Sequence, residues 1–354
     1  MNRLKEHKLP LFVSAGFLLL AAACIVLYNI VAGTLSYVDS AKVWAGENEL
    51  FYSYVSCFMP VNEKIDESDV FTFGKTVDSK LTEASLTAKE GAQLWNYAYC
   101  GTGMVSTSTL RGNAKVNAVG IGGDFFFFHP YYLHSGSYIS GSDLMKDKVV
   151  LDKELAWTLF GATDVAGMEL LIEGQRFIVA GVIEPEDDFA SKKAKTLNGG
   201  LYMSYEKLAG MTKTGIDCYE AVIPDPVKNF AMNITKENFP SENCEIIDVG
   251  RRYEAGAIVD VASSFGSRSM RTDGIVFPEW ENAARLTEDY CAALLVLGIT
   301  FAIAPVVYAA VLFREYGKIY GKKLADAVKE KSTAIYDRYN DKLYERERKL
   351  KNRE

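Results

Sequence analysis

Two stretches of the chain carry no charged side chain: Leu9 to Ala32, 24 residues, and Cys291 to Phe313, 23 residues. As helices they would rise ~36 Å and ~35 Å, enough to cross a hydrocarbon core of ~30 Å. No other uncharged window reaches that length. The pattern therefore predicts two membrane spans, with Pro305 inside the second as a tolerated kink. Between them, residues 33–290 mix short apolar runs with polar turns. Such alternation, without long crossover units, predicts an α+β domain large enough for two subdomains. After the second span, residues 314–354 lack proline. Tyr316, Tyr320, Leu324 and Val328 recur there every fourth position, as do Ile335, Tyr339 and Leu343. That spacing predicts one face of a helix.

Local signals are clearest between 149 and 195. Val149-Val150-Leu151 reads as a buried strand. Asp152 is placed to cap a helix over Lys153–Phe160, which Gly161 ends. Met168–Glu173 and Arg176–Ala180 predict a hairpin around Gly174-Gln175 with a type II′ turn. Asp187–Lys195 reads as a loop or an exposed helix.

Charge adds the orientation. The whole chain has net charge −7 and pI near 5.3. Residues 1–31 are net +2, residues 32–290 net −14 and residues 291–354 net +5. Lys5 and Lys8 precede the first span, and Arg314, Lys318, Lys322 and Lys323 follow the second. Glu288 and Asp289 lie at the opposite mouth. Positive flanks stay cytoplasmic, so both termini (1–8 and 314–354) are expected inside and 33–290 outside. The first apolar core exceeds the 7–15 residues of a secretory leader, which predicts a retained anchor. Leu20-Ala-Ala-Ala-Cys24 resembles a lipoprotein cleavage box with its leucine one place early, so a lipidated or cleaved form is the other reading. The acidic balance argues against nucleic-acid binding. With 49% hydrophobic and 24% charged residues, wholesale disorder is excluded.

Candidate chemistry is sparse. Asp69-Val-Phe-Thr-Phe-Gly74-Lys75-Thr76 misses a phosphate-binding loop by one residue, because an acidic side chain stands where glycine must wrap phosphate. Gly120-Ile-Gly-Gly123 reads as a tight turn before Asp124, not a dinucleotide fingerprint. His129 and His134 are five apart, unsuited to a zinc helix, and His7 lies in the N-terminal flank. Ser106 to Thr109 has no positioned base. Arg251-Arg252, Arg268 and Arg271 read as solvated charges. No cofactor, metal or catalytic residue is expected. Phe125, Phe126, Phe127, Phe128, Tyr131 and Tyr132 form an aromatic cluster with two readings, core or a partner or lipophilic-substrate surface. Cys57, Cys100, Cys218 and Cys244 allow three disulfide pairings or ordinary buried thiols. Cys24 and Cys291 read as packing or lipid-facing residues. The face of Tyr316, Tyr320, Leu324 and Val328 fits a helix beside anionic lipid, a docking surface for a partner subunit, or a homo-oligomeric coiled coil.

From Val116 to Ile183 the order of features is distinctive. Val119-Gly-Ile-Gly-Gly-Asp124-Phe-Phe126 precedes Gly136-Ser-Tyr-Ile-Ser140. Val149-Val-Leu151, Leu155-Ala156 and Leu159-Phe-Gly161 follow, then Val165-Ala-Gly167, Ile172, Gly174 and Phe177-Ile-Val-Ala-Gly-Val182. This order resembles the MacB-like periplasmic core domain of ABC transporter permeases. Ser137 stands where that family commonly has Arg, and Met168 where it commonly has Lys. Such permeases usually have one span before the domain and three after it; here one follows. Arg268-Ser-Met-Arg271 through Pro278–Arg285 resembles the approach to the next span in some of them. The resemblance implies a non-catalytic, reduced or accessory permease subunit. Its partners would be a separate ABC ATPase, permease subunits and the lipid bilayer. A two-span receptor or sensor with a ligand-binding ectodomain is the alternative.

Overall fold

The computed structural model describes residues 8–46, 50–63, 65–88, 92–141, 143–195 and 200–351. Arg3, Lys5, Glu6 and His7 lie outside the described residues. So do the side chains of Lys8, Lys318, Tyr320, Tyr339 and Leu343. The chain divides into two units, Tyr28–Ala293 and the segments flanking it.

After helix α1 (Lys8–Ala32), a 3-10 turn at Ser36–Asp39 and α2 (Ser40–Ala45) lead into strand β1 (Tyr52–Phe58) and α3 (Glu67–Glu83). The long hairpin β2 (Asn96–Ser108) and β3 (Asn113–Gly123) follows, then the single turn α4 (Phe125–Phe128), β4 (Tyr132–Gly136) and β5 (Lys148–Asp152). Next come α5 (Lys153–Phe160), β6 (Glu169–Ile172), β7 (Gln175–Glu184), α6 (Phe189–Ala194), β8 (Leu201–Ser204) and α7 (Tyr205–Thr212). The domain closes with β9 (Cys218–Pro224), α8 (Phe230–Asn238), β10 (Glu245–Asp248) and α9 (Ala255–Ala262). The last element is α10 (Glu279–Lys351).

The strands run β10-β1-β9-β2-β3-β8-β5-β7-β4 in one sheet. β6 pairs with both β2 and β7. That closes β2, β3, β8, β5, β7 and β6 into a six-stranded ring, with β9, β1 and β10 continuing as an open wing. β3/β8 and β5/β7 are parallel and the other pairs antiparallel, so the sheet is mixed. Ring and wing share β2 rather than a linker. This is the expected α+β class.

Three cores follow from this geometry. Val105, Val116, Leu151, Leu159, Phe177 and Met203 belong to the ring's core. α3 and α8 cover one face of the wing, burying Val70, Phe73, Val77, Leu81 and Ile234 against Val55 and Tyr219. The other face holds Tyr37, Tyr54, Phe125, Phe128, Phe277 and Trp280. β9 buries every residue because both its faces are covered.

Local sequence explains the boundaries. Asp66 caps α3 by accepting from the backbone N–H of Ser68 and Asp69, and Asp69 returns the bond, a reciprocal capping box. The loop-like string Asp69–Thr76 therefore lies inside a helix, with Phe73 in the core. Asp152 caps α5 and Gly161 ends it at φ 69°, as expected. The hairpin turn differs from expectation. Ile172 pairs with Gln175, so the central residues are Glu173 and Gly174, at φ 47° and 76°. Two positive φ values make it type I′, which the twist of the flanking strands favours. Gly120–Gly123 is likewise not a turn but the end of β3. The Tyr99 ring lies across Gly122, where a Cβ would overlap it, and Gly123 alone has positive φ.

In the flanking unit, α1 and the apolar part of α10 are both long and apolar enough to cross a membrane. Ala21 and Cys24 are buried, and a Cβ on Gly298 would sit 3.4 Å from Cys24 Cβ. The Phe17 and Phe301 rings are 6.0 Å apart. Small residues thus let the helices approach, and Cys24 is a packing residue. Leu9, Phe12, Leu19, Ile25, Val306 and Phe313 are exposed, an apolar surface that suits lipid. α10 continues without a break through Pro305 to Lys351.

Candidate functional site

The first three turns of α10 carry charges that are buried rather than solvated. Glu281, Arg285 and Glu288 are spaced i, i+4, i+7 and so share one helix face. All three are no more than 2% exposed. Arg252, which follows the 3-10 turn Val249–Arg251, lies against them, also buried. Its Nη1 and Nη2 donate to the two carboxylate oxygens of Glu281 at 2.8 and 2.9 Å, a planar fork, while its Nε donates to Glu288 Oε1 at 2.7 Å. Arg285 Nε donates to Glu281 Oε1 at 2.7 Å, and its Nη2 to Glu245 Oε1 on β10 at 2.6 Å. Arg268 donates to the remaining oxygen of Glu288. The guanidinium of Arg285 also lies 3.6 Å over the Phe277 ring.

Three guanidinium groups therefore face three carboxylates, and the network is neutral overall. Burial alone would press the Arg252 guanidinium down. Glu281 and Glu288 instead hold it well above its ordinary range. Exposed pairs contribute ~0–1 kcal/mol, whereas breaking one partner out of a buried pair costs ~3–5 kcal/mol. The energy of this site is thus concentrated on Arg252, Glu281, Arg285 and Glu288.

Neutral bonds fasten the same helix face. Asn282 donates to Phe277 O at 2.9 Å and accepts from Met270 N–H at 2.7 Å. Tyr37 OH donates to Trp280 O at 3.2 Å, and burial pushes that hydroxyl well above its ordinary range. Trp280 packs 4.5 Å from His129 and 5.6 Å from Phe125 between ring centroids. His129 Nε2 lies 2.6 Å from Glu220 Oε2, and Tyr54 OH donates to Glu220 Oε1 at 2.6 Å. A second buried polar centre thus sits beside the root of α10.

The structure redistributes the residues singled out from sequence. Phe125 and Phe128 are core and offer no surface; Phe126, Phe127 and Tyr131 are half-buried, and Tyr132 alone is exposed, at 70%. Of these rings Phe125 packs against Trp280 and Phe128 against Tyr54. Arg251, Arg252 and Arg268 are not solvated charges: Arg251 donates to Asp225 at 2.9 Å, and the other two belong to the network. Composition could not show this, but Glu281-x-x-x-Arg285-x-x-Glu288 on one face among alanines was a readable signal. On the C-terminal part of α10, Leu324 and Val328 are exposed and Tyr316 is half-buried. Among the described residues no group of three or more His, Cys, Asp or Glu converges as a metal site. The arrangement fastens the first three turns of α10 to the rest of the domain.

The model of the MacB-like periplasmic core domain family matches residues 15–232. Similar solved structures include the extracellular domain of the noncanonic ABC-type transporter YknZ from Gram-positive bacteria, at 14% identity and TM-score 0.36, covering 55% of this chain and 99% of that one. The periplasmic region of MacB from Actinobacillus actinomycetemcomitans is similar at 15% identity and TM-score 0.40, covering 56% and 89%. A domain of a putative permease protein from Porphyromonas gingivalis is similar at 13% identity and TM-score 0.31, covering 55% and 88%. No curated protein matches the chain. With more than half its length matched by the family model, the chain belongs to the MacB-like periplasmic core domain family.

Proposed function

We propose that this chain is a non-catalytic membrane subunit of an ABC transporter assembly. It stands at the cell membrane with residues 33–290 outside and both termini in the cytoplasm. Its helices couple the outer domain to a separate ATPase and to further permease subunits. The observation that carries the reading is the buried joint on α10. The helix that leaves the domain is held to it by Arg252, Arg268 and Glu245 through charge-assisted bonds. It then continues as one helix through the apolar stretch to Lys351. Through these bonds, displacement of the first turns of α10 would be passed to the strand and loops that hold them. The exposed apolar row of Leu324 and Val328, with Tyr316 and Tyr320 above it in sequence, is the proposed docking face for a partner subunit on the cytoplasmic side.

Affinity purification of the tagged chain from its native membranes tests the proposal. The expected result is stoichiometric recovery of an ABC ATPase and a permease. Repeated recovery of the chain with neither would overturn it, and a signal-dependent partner on the tail instead would favour a receptor.

A further inference from the structure

The four cysteines of the domain are brought into two pairs on opposite faces of the sheet. Cys100 on β2 stands directly across from Cys218 on β9 in the antiparallel register. Both are buried in the core that holds Tyr54 and Phe125. Cys57 on β1 belongs to the other core, beneath α3 and α8, and Cys244, just before β10, packs against the same cluster. β1 and β10 are paired with Cys57 across from Ile246, which sets Cys244, two residues before it, diagonally opposite Cys57 in the same cluster. Of the three pairings that four cysteines allow, the fold selects Cys57 with Cys244 and Cys100 with Cys218.

The pairs differ in access. Cys57, Cys100 and Cys218 are buried, whereas Cys244 is partly exposed at the start of β10. Its Sγ lies 3.2 Å from Ser241 O. Neighbouring Cys57 holds the Cys244 thiol below its ordinary range, and burial pushes Cys57 well up. An accessible, more acidic thiol beside a buried one is an attacking and a resolving cysteine.

We propose that Cys57 and Cys244 form an oxidisable dithiol that closes to a disulfide by exchange with an external disulfide-bearing oxidant, while Cys100 and Cys218 stay shielded from that oxidant in the folded domain. Cys244 loses its proton to water, and the thiolate attacks one sulfur of the oxidant. A mixed disulfide forms and the first thiolate leaves. Cys57 then attacks the Cys244 sulfur, its proton passing to the second departing thiolate. Two protein thiols and one external disulfide become one intramolecular disulfide and two external thiols. In the product the two sulfurs are ~2.05 Å apart. The new bond would tie the start of β10 to β1 next to Glu245, the partner of Arg285. The redox state would thereby stiffen the strand that holds the α10 joint.

The purified, reduced full chain in detergent is exposed to oxidised glutathione, quenched in acid, alkylated and mapped by mass spectrometry. The native chain should give a Cys57–Cys244 cross-linked peptide, with Cys100 and Cys218 alkylated as free thiols. Cys57→Ala should accumulate a stable glutathione adduct on Cys244, and Cys244→Ala should leave Cys57 unmodified. The same reagent on denatured chain should modify all four. An unmodified Cys244 in the native chain and in Cys57→Ala, alongside a reactive denatured control, would overturn the proposal. So would oxidation of Cys100 and Cys218 at the same rate. The reaction is read on the isolated chain, so its failure leaves the transporter reading untouched.

Discussion

Replacing Arg252 with methionine removes the centre of the α10 joint while keeping the side chain long and apolar. Arg252 donates three bonds within 2.7–2.9 Å, two to Glu281 and one to Glu288. Its loss strips a buried carboxylate of part of its compensation, for which ~3–5 kcal/mol is typical. Arg285 still serves Glu281 and Arg268 still serves Glu288, so the lower end, about 3 kcal/mol, is expected. For a unit of this size 1 kcal/mol shifts the melting temperature by ~2–4 °C, so the drop should be roughly 6–12 °C. Thermal unfolding of the full chain in detergent, followed by tryptophan fluorescence, reads this directly, because Trp280 sits next to the network. Removing Glu281 as well, as Arg252→Met with Glu281→Met, should cost less than the two single losses added together, since no orphaned pair remains between them. The control Lys80→Met breaks an exposed pair with Glu83 and should cost no more than ~1 kcal/mol, a melting shift of at most ~2–4 °C. A drop under about 2 °C for Arg252→Met, or strict additivity with Glu281→Met, would refute the reasoning.

Three further outcomes follow from local geometry. Gly122→Ala should destabilise the domain by about 1–3 kcal/mol, because the new methyl meets the Tyr99 ring; an unchanged melting temperature would contradict that close approach. Asp66→Ala should cost ~1 kcal/mol at pH 7. The Ser68 hydroxyl and the backbone N–H groups of Ser68 and Asp69 hold the Asp66 carboxyl below its ordinary range. Its contribution is therefore present above the unfolded value near ~3.9 and is lost as pH falls below that, so the difference from the native chain in urea titrations should vanish toward pH 2–3. Leu324→Glu with Val328→Glu should abolish co-purification of partner subunits and leave domain melting within about 1 °C, since both side chains are exposed; retained co-purification would remove that face from consideration.

Much of the architecture was legible because it rests on strong local signals. The two apolar helices follow from uninterrupted hydrophobicity, and α5 from its Asp152 and Gly161 ends. The hairpin was visible, but its turn was displaced by one residue. Ile172 pairing with Gln175 is a choice of register that apolar runs do not specify. The ring of strands was not readable, because β6 also reaches β2, pairing Thr107 with Ile172 across a long stretch of sequence. The α10 joint was hidden for the same reason. A buried Arg252 looks like a solvated one until Glu281 and Glu288, some thirty residues on, are folded against it. The aromatic cluster was visible as composition, yet only the fold shows that Phe125 and Phe128 turn inward toward Tyr54 and Trp280.

The coupling claim is tested most directly by hydrogen exchange on the assembly purified with its ATPase, compared with and without ATP. The joint should respond to nucleotide: protection at residues 245–252 and 266–270, which grip α10, should change with ATP, and Arg252→Met should abolish the change while ATP hydrolysis continues. Identical exchange at those segments in both nucleotide states, with the ATPase active, would contradict the account.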